Sequence, residues 1–304
     1  MKARRNENHT LRGESTVRRS LSQSLIPLSA RRWIRTGIEW LAVLVLGIGV
    51  LFPVLWMLKG SFQPLRDLLA KPPVWIPRSF YVENYVNVLR DPSVLHALRN
   101  SFIVATASTL IAMASGLLAA YAFVRFRFRG RTTLFLAVLV SQMLPGIAMV
   151  IPLYVFMNRL RLSGTFVGLI LAYISFTLPY CIWLLRAYLT NAPWELEEQA
   201  RVDGCSRLGA ITRVVLPTIM PGLITAGIFA FLNVWNEYLF AVTLSSPTTK
   251  TFPVRLSEYI NQERIALETM FAAGAIGTLP GLILIVFFGR YIVRGLTAGA
   301  LKGA

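Results

Sequence analysis

Pro193-Trp194-Glu195-Leu196-Glu197-Glu198-Gln199-Ala200-Arg201-Val202-Asp203-Gly204-Cys205-Ser206 is a polar stretch set between apolar runs too long for any soluble core helix. Asn191 and Pro193 are helix-start signals, and Glu195, Glu197 and Glu198 place negative charge where a helix N-terminus favours it. Gly204, without a β-carbon, can take the left-handed conformation that ends a helix, and Ser206 can cap a second one. That second helix runs from Arg207 to Val215 and reaches Leu216-Pro217, where Pro217 is expected to open the next membrane segment. The region 193–217 therefore reads as two short helices hinged at Asp203-Gly204 and held at a membrane surface. On pattern alone it is an amphipathic interfacial hairpin.

The composition around it excludes an ordinary soluble domain: 304 residues, 55% hydrophobic, with a mean hydropathy of +0.58. Six runs approach or exceed the roughly 18–20 residues needed to cross a bilayer, at 38–58, 102–124, 134–157, 166–185, 219–244 and 270–291. Several hold internal proline (Pro145, Pro152, Pro179, Pro280), read as static packing kinks that membrane helices tolerate. The fold class expected is all-α, integral to the membrane, with six transmembrane helices.

A net charge of +17 could suggest nucleic acid, but its placement points elsewhere. Nine basic residues precede the first run, and Arg125, Arg127, Arg129 and Arg131 lie between the second and third. Charge at the ends of membrane spans reports topology and contact with anionic lipid, so no nucleic-acid partner is expected. With the N-terminus inside, inner segments hold 20 of the 31 basic residues. That bias puts both termini and the 193–217 hairpin in the cytoplasm. Residues 1–36 read as a basic, largely disordered tail with a possible interfacial helix near 21–33; with no cleavage site after the first run, it is expected to stay uncleaved.

The outer segment 59–97 is rich in proline and aromatic residues and is expected to form an ordered cap. A second outer loop, 245–269, has a helical pattern from 255 to 267. Both are plausible docking surfaces for an external partner. Cys181 and Cys205 suggest neither a disulfide framework nor a metal site and read as space-filling residues.

No phosphate-cradling glycine loop, zinc-protease motif or serine-nucleophile motif occurs, and the two histidines, His9 and His96, are far apart. The chain therefore reads as a non-enzyme that binds no cofactor. Polar residues within the spans are the next candidates, because they are costly in hydrocarbon and usually face a cavity or a partner helix. Asn233 and Glu237, four apart, are expected on one helix face, with Asn236 adjacent. They read either as a transport-path lining that hydrogen-bonds a polar solute's hydroxyls or as interhelical glue. Gln142, beside Pro145-Gly146, reads the same way, with glue favoured. On physics alone, 292–304 is a basic anchor followed by a small, flexible tail.

The hairpin resembles the EAA signature of ABC importer permeases: Glu198, Ala200, Asp203, Gly204, Leu216 and Pro217 occupy the signature's places, with Gln199 where the family usually has alanine. The ending from Gly295 to Gly303, together with Asn100-Ser101, 125–130 and Trp235-Asn236-Glu237, resembles the second permease subunit of maltose-type importers over roughly 38–304. The resemblance implies a type I importer fold with its core at 98–291. It implies ATPase coupling through Glu197, Glu198, Gln199, Ala200, Asp203, Gly204, Cys205, Leu216 and Pro217, and an ATPase-interface tail with Leu296, Thr297, Ala298, Gly299 and Lys302. The implied partners are a second, related permease chain, two ATPase subunits carrying ATP and Mg, and an extracytoplasmic solute-binding protein. The setting implied is the bacterial cytoplasmic membrane and the cargo a sugar or oligosaccharide, with a glycerol phosphate or polyol as the alternative. An ion-coupled secondary transporter would be expected to carry an internal repeat and paired intramembrane charges, and neither is found.

Overall fold

The computed structural model describes residues 28–260 and 266–300, with the backbone alone for 28–35 and 294–300. Lys302, and all of the basic tail before residue 28, lie outside this range. Every regular element described is a helix.

The chain divides into two units at Trp56. Most of α1 (Leu28–Ser61) belongs to the first. This helix begins inside the stretch read as tail, so the described part of the expected interfacial helix is continuous with the first span. Its apolar portion, Thr36–Ser61, has 26 residues, about 39 Å of helix against roughly 30 Å of hydrocarbon.

In the second unit, α2 (Leu65–Leu68) and α3 (Glu83–Arg90) lead into α4 (Pro92–Arg125), a 34-residue helix that starts well before the expected 102. The early start is local chemistry. Asp91 accepts from Ser93 N at 2.8 Å and Pro92 occupies the first turn, where its missing N–H costs nothing. Next come α5 (Arg131–Ser141), α6 (Gly146–Arg159) and α7 (Phe166–Asn191). The hairpin contributes α8 (Glu195–Val202) and α9 (Arg207–Ala210), followed by a π turn (Ile211–Val215) and α10 (Leu216–Trp235). Short helices α11 (Leu239–Leu244) and α12 (Phe252–Ser257) precede α13 (Leu267–Ala300).

The third span departs most from expectation. Instead of one kinked helix over 134–157, α5 and α6 are bent 98° apart at a break before Gly146. At 1.5 Å per residue the pieces are about 16 and 21 Å long, so neither crosses a bilayer alone. Their ends show that together they do. Before α5, Phe126 packs edge-on to Tyr121 under the guanidinium of Arg207, at the hairpin end. After α6, Gly164 N donates to Leu244 O at 2.8 Å and Ser246 Oγ donates to Gly164 O at 2.9 Å, at the opposite end. The pair is one broken span. Proline disfavours helix in the residue before it, and Gly146 adds no compensating preference, so a full break replaces the kink.

α4 and α7 pack closely. A β-carbon on Gly116 would lie 2.9 Å from Cys181 Cβ, so glycine sets the helix separation there, as small residues do in membrane interiors. One buried cluster (Val104, Leu169, Tyr173, Trp235, Leu244) fills the half away from the hairpin. A second (Tyr121, Cys181, Leu189, Ile211, Ile219) underlies the hairpin itself. Cys181 is thus a buried packing residue.

Candidate functional site

The hairpin is built largely from its own backbone. Asp203 N donates to Gln199 O at 2.9 Å, Gly204 N to Arg201 O at 3.2 Å and Cys205 N to Ala200 O at 2.9 Å. Gly204 has φ +94°, a conformation that lets the chain reverse after α8 and that a β-carbon would strain. Ser206 Oγ then accepts from Gly209 N at 3.1 Å, as its capping role requires. Two local signals act differently from their expected parts. Asn191 does not start α8; its Nδ2 donates to Ala187 O at 3.0 Å and closes α7. Pro217 does not open a new segment, because 207–235 is one continuous helical run of 29 residues with the π turn just before the proline. The wider turn accommodates a ring that would crowd a regular α-turn and a residue that donates no hydrogen bond.

Glu198, Gln199, Asp203, Gly204 and Pro217 are exposed, while Ala200, Cys205 and Leu216 are half-buried. Glu197 points the other way. It is buried, its Oε1 accepts from the Tyr121 hydroxyl, and its Oε2 pairs with Arg125 Nε at 3.0 Å. Arg125 Nε and Glu197 Oε2 form an ion pair without a hydrogen bond, and Arg125 Nη2 is buried with no hydrogen-bond partner. Tyr121 and Arg125 lie four apart on the last turns of α4; the sequence places Tyr121 in an apolar span and Arg125 among the topogenic charges and in the 125–130 resemblance, and links neither to the hairpin. The available signal was a carboxylate-rich helix beside a tyrosine and an arginine on one helix face. Arg207 completes the contact from the other arm, 4.7 Å over the Phe126 ring.

The polar residues of the spans are not gathered into one lining. α10 ends at Trp235, so Asn233 and Glu237 do not share a helix face. Glu237 instead accepts from Phe240 N at 2.9 Å with Oε1 and from Ala241 N at 3.1 Å with Oε2, capping α11. The carboxylate's attraction for those two N–H groups ends one helix and starts the next. Asn236, the residue that follows α10, donates from Nδ2 to Leu232 O of that helix at 2.8 Å, and Asn233 is exposed. Gln142 sits at the break of the third span and donates to Phe176 O of α7 at 3.1 Å. A cavity of about 790 Å³ between α4, α10 and α13 is lined by Phe102, Met113, Leu223, Phe231 and Leu284 among others, and by none of these four polar residues.

The opposite end is clamped to α4. Asn100 Nδ2 donates to Thr248 O at 2.9 Å and to Lys250 O at 3.0 Å, and Ser101 Oγ accepts from Phe252 N at 2.7 Å. Arg255 Nη2 meets Asp91 Oδ2 at 2.9 Å and its Nε donates to Ser93 Oγ at 2.8 Å. Partial burial pushes the Asp91 carboxyl up, but the hydrogen bonds from Ser93 and Arg255 outweigh it and hold it below the usual aspartate value. In the first loop, Asn84 is buried and donates to Ser61 O and Gln63 O at 2.9 and 3.0 Å. Helix α12 lies at 252–257 rather than along the expected 255–267, of which 261–265 are outside the described residues. Among the described residues no group of three or more His, Cys, Asp or Glu could hold a metal ion.

Residues 112–298 match the family described as binding-protein-dependent transport system inner membrane component, a span holding the hairpin, the broken third span and the Glu237 cap. The chain belongs to that family. As a binding-protein-dependent permease it is 36% identical over 267 residues to the sulfoquinovosyl glycerol transport system permease protein SmoH of Agrobacterium fabrum, covering 88% of this chain and 94% of that one. It is 35% identical to the diacetylchitobiose uptake system permease protein DasC of Streptomyces coelicolor, covering 85% and 94%. Its fold is similar to a chain of a bacterial ABC transporter involved in import of the acidic polysaccharide alginate, with a TM-score of 0.74 at 20% identity over 88% of this chain and 99% of that one. The permease is therefore a transport subunit of an ABC importer and not itself an ATPase. Its backbone is helical through Ala300, so 292–300 continues α13 where a flexible tail was expected. Only the backbone of Leu296, Thr297, Ala298 and Gly299 is described.

Proposed function

We propose that this permease carries a sugar or oligosaccharide across the bacterial cytoplasmic membrane by alternating access, with both termini in the cytoplasm. It pairs with a second, related permease chain, receives solute from an extracytoplasmic binding protein and is driven by two ATPase subunits that hold ATP and Mg. The supporting observation is its likeness, over more than four-fifths of its length, to permeases named for glycoside uptake. The exposed hairpin residues Glu198, Gln199, Asp203 and Gly204 are the ATPase-facing set, and 296–302 is a second ATPase contact. The excess of basic residues on the hairpin side supports the orientation. Among the polar span residues, Asn233, Asn236 and Gln142 remain the path candidates; Glu237 acts through α11, because the chain's own backbone occupies both its oxygens.

The test is uptake by the co-purified complex in proteoliposomes clamped for protons and sodium. ATP-dependent accumulation of a neutral glycoside is expected, with no uptake driven by an ion gradient alone. Gradient-driven uptake without ATP would remove the mechanism. ATP-driven uptake confined to a glycerol phosphate or polyol would remove the sugar assignment.

A further inference from the structure

We propose that Glu197, Tyr121 and Arg125 form a latch that makes the hairpin and α4 move as one body, so that α4 carries the hairpin's displacement to the loops at the far end. The proposal rests on the hairpin being the ATPase contact and adds the route by which its motion leaves it.

Three observations carry it. First, Glu197 is buried, whereas Glu195, Glu198 and Asp203 of the same hairpin are exposed. A buried carboxylate is retained only where its desolvation is offset, and here a hydroxyl donor and a guanidinium from one neighbouring helix offset it. Second, both arms of the hairpin are held by the same short segment. Glu197 of α8 binds Tyr121 and Arg125, and Arg207 of α9 lies over the adjoining Phe126 ring, so pushing on either arm loads the end of α4. Third, α4 runs unbroken for 34 residues, about 51 Å, and carries no internal proline, unlike α6, α7, α10 and α13. Its other end holds Asp91, Ser93, Asn100 and Ser101, which bind the backbone or side chains of residues 248–255. An unbroken helix gripped at both ends transmits displacement, whereas the third span, bent 98°, absorbs it.

Glu197 and Tyr121 are thus positioning residues. The experiment compares Tyr121→Phe, Glu197→Gln and the double variant in the reconstituted complex, measuring ATPase retention, hydrolysis and solute moved per ATP together. Each single variant should keep the ATPase subunits and hydrolyse ATP within about twofold of wild type, while solute per ATP falls about tenfold, within the range of ordinary coupling between sites. The double variant should lose no more than either single one, because the two side chains act as a unit. A parallel fall in transport and hydrolysis, with the ratio unchanged, would overturn the proposal by making the cluster purely structural. Losses that multiply in the double variant would overturn it too. Crosslinking wild-type Cys205 to the ATPase checks the underlying contact separately: its failure removes that contact and the latch's role with it, whereas its success with an unchanged ratio removes the latch alone.

Discussion

Replacing Gly204 separates backbone strain from bulk. The residue has φ +94°, and the β-carbon of any other residue there adds roughly 1–2 kcal/mol. Apart from Gly204 and its two chain neighbours, no atom of the described residues lies within 4 Å of that β-carbon, so alanine meets no overlap and strain is its whole effect. One to two kcal/mol is about a 5–30-fold loss in the weight of the turned conformation. The three backbone hydrogen bonds of the turn, each worth about 1 kcal/mol, keep it from being lost altogether. Gly204→Ala should therefore insert normally and bind the ATPase subunits about 5–30-fold more weakly. Gly204→Leu carries the same strain plus a side chain projecting into the space assigned to the ATPase, and Gly204→Asp adds a charge there; both should lose ATPase beyond the alanine range. The assay is titration of purified ATPase onto each variant in nanodiscs, with uptake measured in parallel. Leucine behaving no worse than alanine would mean that no partner meets this surface, and alanine binding like wild type would refute the strain argument.

Glu237→Gln keeps one acceptor for the α11 N–H groups, whereas Glu237→Leu leaves both without a partner; at about 1–3 kcal/mol per orphaned donor, leucine should lower thermal stability and uptake further than glutamine, and equal behaviour would dismiss the cap. Asn100→Asp turns a carboxylate towards the carbonyls of Thr248 and Lys250 and should destabilise the far end more than Asn100→Ala; a melting curve with the reverse order would refute the clamp. Because the Asp91 carboxyl is held below its usual value, it adds stability above the unfolded aspartate pKa of about 3.9, and that stability is lost as pH falls through the lower folded value. The stability gap between wild type and Asp91→Asn should be steady at neutral pH and close only under acid, so a gap that widens on acidification would contradict the assignment.

What the sequence settled by itself is local or compositional. Apolar run length required membrane spans, the Glu-rich turn followed by Gly204 located the hairpin, and Ser206 capped its second arm, because each depends only on neighbours within a turn or two. Direction and partnership were decided elsewhere. Glu197 and Glu198 are adjacent and chemically alike, yet one is buried on Tyr121 and the other exposed, a choice made by a helix end more than seventy residues away. The end of α10 before Glu237 and the 98° break at Pro145-Gly146 were likewise hidden. A proline or a carboxylate states only that a backbone bond is missing or an acceptor available. Whether the chain kinks, breaks or caps there depends on which distant groups pack against it, and that only the tertiary structure supplies.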